Sequence, residues 1–406
     1  MSPQKRIVVI VMRLIVEFAI LPVVITAAIV ARFTRRAIDV GIGPEPLINN
    51  VYHARALRRF HWSAETFVDH TYFITSQFDY NLSCSSELLN KISRLFFTTY
   101  FFALFRYRCL YIYFNGGGLY QSIALWLIEP FLYRIAGTKV VVMPYGSDVQ
   151  DTHKSRELFF KHAVDSDYRI HYRRRLRITT QVALWSRWAN HVISGCDWVD
   201  YMNHWDTLCL SHFAVDENSK PDYVHHIEQE SRMRRSHPTA VDGRKIKVLH
   251  APNHKEIKGS RFFKLAIMRL QADGVPVELV EIQGISNEQV LALIDEADIV
   301  ADQLVIGWYA MFALEGMNRA KPVLCYIRED LEQLYIRAGL IKHGELPIVK
   351  CSPENVEDVI RELVWDAAKR IEIGRKGREF IKRHHSLEVV GDMFNKINSK
   401  LGLRRP

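Results

Sequence analysis

The stretch His250-Ala251-Pro252-Asn253-His254-Lys255-Glu256-Ile257-Lys258-Gly259-Ser260 gathers Lys255, Lys258 and His254 between an apolar run, Val248 to His250, and a helical pattern, Ser260 to Ala272. A strand that opens through cations onto a helix N-terminus offers unpaired amides and positive charge together. That is an anion site, suited to a diphosphate; a solvated basic turn would use the same residues. Further on, Asp302-Gln303-Leu304-Val305-Ile306-Gly307-Trp308-Tyr309-Ala310-Met311-Phe312-Ala313-Leu314-Glu315 places Gly307 just before a helix. A glycine there lets backbone approach a phosphate closely, through Gly307, Trp308, Tyr309 and Ala310. Glu315 lies about two turns into an otherwise apolar helix and needs a partner, because an unpaired buried carboxylate is costly. A ribose diol would supply two donors; a structural ion pair would also serve.

Other patterns fail on their chemistry. Gly41-x-Gly43-x-x-Pro46, with Asp69 ending the next strand, lacks the third glycine of a dinucleotide fingerprint, and Pro44 and Pro46 change the turn. Asp295-Glu296-Ala297-Asp298 spells a helicase box, yet no GxxxxGK[ST] occurs. Asp165-Ser166-Asp167 lies in a polar stretch rather than after a strand, and His225-His226 and His384-His385 lack ligand spacing. No metal and no resident cofactor is expected.

The elements that must position the candidates follow from the chain at large. Its 406 residues exceed the size at which one core stops growing, so two domains are expected. With 48% hydrophobic and 24% charged residues it is neither disordered nor a many-pass membrane protein. The balance, 54 − 45 = +9, favours an anionic partner. No nucleic-acid module accompanies that charge, so nucleic acid is not expected. The six cysteines are scattered without a CxxC and read as reduced thiols.

Residues 1–36 read as a hydrophobic membrane-associating segment. Ile7 to Ala31 is almost wholly apolar, broken by Arg13, Glu17 and Pro22 and flanked by Lys5, Arg6, Arg32, Arg35 and Arg36. From Leu14 to Val30 a helix spans about 26 Å, short of a hydrocarbon core of about 30 Å; starting at Ile7 lengthens it but immerses Arg13 and Glu17. Those two stand four apart and could pair. A cleaved signal peptide and a buried helix are the alternatives. The flanking cations vote weakly for a cytoplasmic body. Beyond, apolar strands around 37–40, 66–68, 110–114 and 140–143 alternate with helices, the later two ending in Gly116-Gly117-Gly118 and Pro144-Tyr145-Gly146-Ser147-Asp148. That alternation predicts a parallel α/β domain over 37–235. Residues 232–247 read as a linker. A second alternation predicts another α/β domain over 245–385, including one helix over 355–372, and residues 386–406 form a terminal helix that could pack back on the first domain.

The ordered pair of motifs, HAPNHKEIKG and ADIVADQLVIGWYAMFALEGMNRAKPV, resembles the donor domain of group 1, family 4-like, retaining glycosyltransferases of the GT-B fold. The resemblance implies two Rossmann-like domains facing a central cleft. It implies that Lys258 and Gly259 bind the donor diphosphate, with Lys258 in a catalytic role, that the turn Gly307 to Ala310 faces the phosphates, and that Glu315 grips the ribose. The loop after Ile282 points to Gln283 and Gly284 beside the base. Two departures stand out: Gly307 replaces a frequent glutamate, and Asn253 an arginine, whose charge Lys255 or His254 could supply. In the first domain the loop from Gly41 through Gly43 to Asn50, and the turn Tyr145-Gly146-Ser147, stand where the family approaches donor and acceptor. Asp148 could bond a sugar hydroxyl or stabilise charge at the anomeric carbon, or cap the segment near Thr152.

The reaction so implied is transfer of a hexosyl or other sugar from a nucleotide sugar to an acceptor hydroxyl, with retention. The apolar segment, the aromatic run Leu95 to Phe105 and the arginines within Arg169 to Arg177 suit a body resting on anionic lipid at the cytoplasmic face, and so a lipid-linked saccharide or glycolipid or polysaccharide precursor as acceptor. A buried helix and a solvated face are the plainer readings of the last two. A nucleotide-sugar epimerase of similar fold, and a non-catalytic nucleotide- or lipid-binding scaffold, remain as other classes.

Overall fold

The computed structural model describes residues 3–83, 97–168, 171–218 and 244–403. Leu95, Phe96, Arg169, the pair His225-His226 and the linker up to residue 243 lie outside the described residues. The chain divides into two units: Met1–Asp151 with Arg173–Leu208 and Gly391–Pro406, and Thr152–Tyr172 with Cys209–Val390. The division differs from a single crossing between 235 and 245. The helix Leu158–Asp167 belongs with the second unit because Asp167 accepts a hydrogen bond from the Ile257 amide (2.9 Å) and the Tyr168 hydroxyl meets His254 Nε2 (2.5 Å). Such long-range contacts leave no trace in local sequence.

In the first unit, β1 (Ile38–Ile42), β2 (Ala64–Val68), β3 (Tyr80–Asn81), β4 (Tyr107–Tyr113), β5 (Lys139–Met143), β6 (His191–Ser194) and β7 (Thr207–Leu208) form one parallel sheet. Its order is β3-β2-β1-β4-β5-β6-β7. Strands buried on both faces read as apolar runs, as β4 and β5 do. Gly41 lies inside β1, paired with Glu65 and Leu110, rather than in the loop expected of it. A Cβ there would sit 2.3 Å from the Tyr107 ring, and one at Gly43 2.0 Å from the Phe67 carbonyl oxygen. Both glycines are therefore demanded by packing.

The apolar segment is one helix, Pro3–Phe33, long and apolar enough over Ile7–Phe33 to cross a membrane. Its buried residues, Glu17, Val24, Ala28 and Ala31, share a face at helical spacing and pack on the helices Glu129–Ala136 and Thr98–Arg106. Arg13 and Glu17 do not pair with each other. Arg13 donates to the Gln121 carbonyl (2.6 Å), and Glu17 accepts from the amides of Ile123 (2.6 Å) and Ala124 (2.8 Å). The opposite face, with Met12, Ile15, Phe18, Val23 and Val30, is exposed. The described part of the aromatic run, 97–105, lies mostly in the helix Thr98–Arg106, which packs its Tyr100, Ala103 and Leu104 into the body.

In the second unit, β8 (Ile246–His250), β9 (Val277–Glu281), β10 (Ile299–Gln303), β11 (Val323–Cys325) and β12 (Val349–Lys350) form a parallel sheet ordered β12-β11-β10-β8-β9. Val248, Phe263, Leu270, Val277, Ile299, Leu324 and Ile360 build its core. The helix expected over 355–372 is two, Val356–Trp365 and Ala367–His384. Asp366 breaks the pattern by leaving helical geometry and accepting from the Lys369 amide (2.8 Å) as an N-cap. Strand order reverses between β1 and β4 in one sheet and between β8 and β10 in the other. At such switch points the loops diverge and open a crevice at the strands' carboxyl ends.

Candidate functional site

The crevice between β8 and β10 gathers a lysine and helix-entry amides around a buried carboxylate. Gly259 holds a left-handed turn (φ +71°) after Lys258, and the Leu304 amide donates to the Lys258 carbonyl (3.2 Å), which ties the two loops together. Lys258 Nζ reaches Asp302 Oδ1 at 2.7 Å; the lysine is mostly buried and the aspartate wholly so. Asp302 Oδ2 also accepts from the Ala310 amide (3.1 Å) at the entry to the helix Met311–Asn318. Gln303 shapes the intervening loop: its Oε1 accepts from Val305 (2.7 Å) and Ile306 (2.6 Å), and its Nε2 donates to the carbonyls of Trp308 (3.0 Å) and Tyr326 (2.8 Å). Gly307 (φ +98°) has no alternative, since a Cβ there would lie 2.5 Å from Arg328 Cδ. The first-turn amides of the following helix lack intrahelical acceptors.

Glu315 lies one helical face along from this loop, 4% exposed, and accepts from Asn287 Nδ2 (2.7 Å). Its partner is thus a neutral amide rather than an ion. Burial pushes its carboxyl up to about 7, against the Asn287 hydrogen bond and the charge of Arg319. Asn287 opens the helix Asn287–Glu296 just after Gln283 and Gly284, so its hydrogen bond ties the loop region beyond β9 to Glu315. Gln283 Nε2 lies 3.4 Å from the Asn253 carbonyl, and Gly284 borders open space.

Some expected contributors are occupied elsewhere. Trp308 donates from Nε1 to the Leu210 carbonyl (3.1 Å) and Tyr309 bonds His385 (2.9 Å); both side chains are buried, and only their backbone faces the loop. Lys255 pairs with Glu281 at 2.9 Å. His254 is held below the ordinary imidazole range by burial, so it is a poor replacement for the missing arginine. Asp148 is 1% exposed and accepts from the amides of Phe114, Tyr145 and Gly146 at 2.9–3.0 Å. It pins the turn after β5 to the end of β4 and turns inward, although burial raises its carboxyl to about 7.

The crevice between β1 and β4 has the opposite character. Glu45, beyond β1, accepts from Asn115 Nδ2 (2.7 Å) beyond β4, and burial raises its carboxyl. Asp69, beyond β2, accepts from Gln121 (2.7 Å) and the Tyr120 hydroxyl (3.2 Å) and holds His70 Nδ1 at 2.5 Å. Asn115 Oδ1 is buried with no partner among the described residues. Tyr145 edges against Tyr113, and its hydroxyl is kept protonated by burial and by the charges of Glu45 and Asp148. Sequence reasoning gave no role to Glu45, His70, Asn115, Asn287, Asp302 or Gln303. Only Asp302-Gln303 carried a local signal, two polar residues closing an apolar strand.

No protein-family model matches the chain, and no curated protein does. Solved structures match over nearly its whole length. The HepE protein of Anabaena, in complex with UDP and glucose, is 12% identical, with a TM-score of 0.52, covering 90% of this chain and 100% of that one. Sucrose-phosphate synthase of Thermosynechococcus elongatus is 12% identical at a TM-score of 0.57 (91% and 99%). The α,α-trehalose 6-phosphate synthase of Burkholderia multivorans is 9% identical at 0.52 (91% and 99%). The fold is that of GT-B glycosyltransferases. Within GT-B architecture the two sheets described above are the Rossmann-like halves, each with its own switch-point crevice.

Proposed function

We propose that this protein is a glycosyltransferase that moves a sugar from a nucleotide-sugar donor to an acceptor hydroxyl, with retention, at the cytoplasmic face of a membrane. The observation that carries the reading is Lys258 held by Asp302 beside the Gly307–Ala310 turn, with Glu315 and Asn287 across the same crevice. HepE was solved with UDP and glucose, and a nucleoside diphosphate is the ligand these groups suit. Lys258 and the amides at the helix entry would stabilise the negative charge that grows on the departing diphosphate by preorganised electrostatics. Glu315 would exchange its Asn287 contact for the ribose hydroxyls. Lys258 acts on the leaving group; Asp302 orients it.

The acceptor-rich crevice of the first sheet supports a hydroxyl-bearing partner. Glu45, Asp69 and the unpartnered Asn115 Oδ1 accept hydrogen bonds, and sugar hydroxyls donate them. The exposed apolar face of Pro3–Phe33 supports a lipid-linked saccharide as that acceptor. The test is a thermal-shift screen of the full chain in detergent against nucleoside diphosphates and their sugars. A ligand selective for the native state raises the melting temperature. A rise with at least one nucleoside diphosphate is expected; none across the panel would refute the donor site.

A further inference from the structure

The N-terminal helix is apolar enough to span a bilayer, yet it is clamped. From Arg13 to Arg32 its inner face is fixed to the first unit: Arg13 on the Gln121 carbonyl, Glu17 on the amides of Ile123 and Ala124, Val24, Ala28 and Ala31 buried, and Arg32 on the Ile135 carbonyl (3.2 Å). That docked length is about 28 Å at 1.5 Å per residue. In front of it only Ile7 to Met12 remain apolar before Arg6 and Lys5, about 9 Å against a core of about 30 Å. A span would therefore carry Glu17 and the loop it holds into hydrocarbon, where unpaired backbone groups cannot persist.

Charge marks which side meets lipid. Arg35 is exposed just past the end of the same helix, and Arg173 is exposed on the helix His171–Trp188, one turn before Leu176, which is 80% exposed. Arg177, one turn on from Arg173, donates to the Tyr120 carbonyl next to the loop that binds Arg13 and Glu17, and covers the Trp126 ring at 4.9 Å. The apolar ridge and the arginines thus belong to one body.

We propose that the helix lies in the plane of a single leaflet of an anionic bilayer, its Met12–Ile15–Phe18–Val30 face inserted and its Glu17 face locked on the protein. Phe18 and Leu176 enter the acyl boundary while Arg35 and Arg173 meet headgroup phosphates. The proposal rests on the membrane part of the proposed function, but its test needs no nucleotide sugar, so either can fail alone.

The full chain is mixed with sealed vesicles of phosphatidylcholine containing phosphatidylglycerol, and a Ser2→Cys variant is labelled with a membrane-impermeant maleimide from outside. Flotation with the vesicles and complete labelling are expected. Protection of that cysteine until the vesicles are lysed would establish a spanning helix and overturn the proposal, as would failure to float. Combined Arg35→Gln and Arg173→Gln should weaken vesicle binding about 25-fold, at roughly fivefold per charge. Unchanged affinity, with unchanged circular dichroism, would overturn the assignment of those arginines.

Discussion

The two switch-point crevices share an architecture and differ in chemistry. Between β8 and β10 the loops offer a lysine and helix-terminal amides; between β1 and β4 they offer Glu45, Asp69 and the Asn115 carbonyl oxygen. Parallel sheets direct both sets to the strands' carboxyl ends, so the fold places a ligand without choosing it. The loop residues choose: donors take an anion, acceptors take hydroxyls. The difference also lies in how each set is encoded. Lys258, Gly259 and Gly307 come from two compact motifs, whereas Glu45, Asp69 and Asn115 come from three loops far apart in the chain.

The contrast can be broken most sharply at Lys258. Lys258→Ala should abolish measurable binding of nucleoside diphosphates in calorimetry and also cost about 3–5 kcal/mol in urea unfolding, because Asp302 is left buried without its cation. Lys258→Met combined with Asp302→Asn should restore most of that stability without restoring binding. If binding returned as well, Lys258 would be structural.

Glu315 gives the next largest effect and a pH signature. The ordinary carboxyl value is 4.5, and in the native protein it is about 7. The folded state therefore holds a proton that the unfolded state releases. Stability from this group is present below about 4.5, declines as pH rises to about 7, and is level above. Glu315→Gln should remove on the order of 2–3 kcal/mol of that decline, read from urea midpoints against pH. Glu129 and Asp148, also raised to about 7 by burial, would leave a residual slope. An unaltered profile would show that Glu315 is ionised in the native state.

The smallest effect concerns the clamp of the N-terminal helix on the first unit. Glu17→Ala removes the acceptor from the amides of Ile123 and Ala124 and should lower stability by about 1–3 kcal/mol, with hydrogen exchange rising first in residues 121–127. Loss of vesicle binding without loss of stability would instead assign Glu17 to the membrane.

Much of the second unit is legible in sequence because its signals are local. Apolar strands, turn glycines and the helix over 287–296 follow from propensity and spacing, and the motif glycines are those whose positive φ or tight packing excludes a side chain. The apolar character of residues 7–31 was equally plain. What Arg13 and Glu17 do there was not, since four-residue spacing suggested a mutual pair while each had a stronger partner in a loop about a hundred residues away. The same holds for Asp148, whose type suggested a ligand contact and whose side chain is buried on three backbone amides.

Sequence by itself therefore determined the fold class, the glycine turn at 307–310 and the apolar helix, because each is written in a few consecutive residues. Tertiary structure alone decided which carboxylates are free and which are spent. A carboxylate's role is set by the donors around it, and here those donors arrive from other strands, other loops and, for the second unit, a returning segment at 152–172.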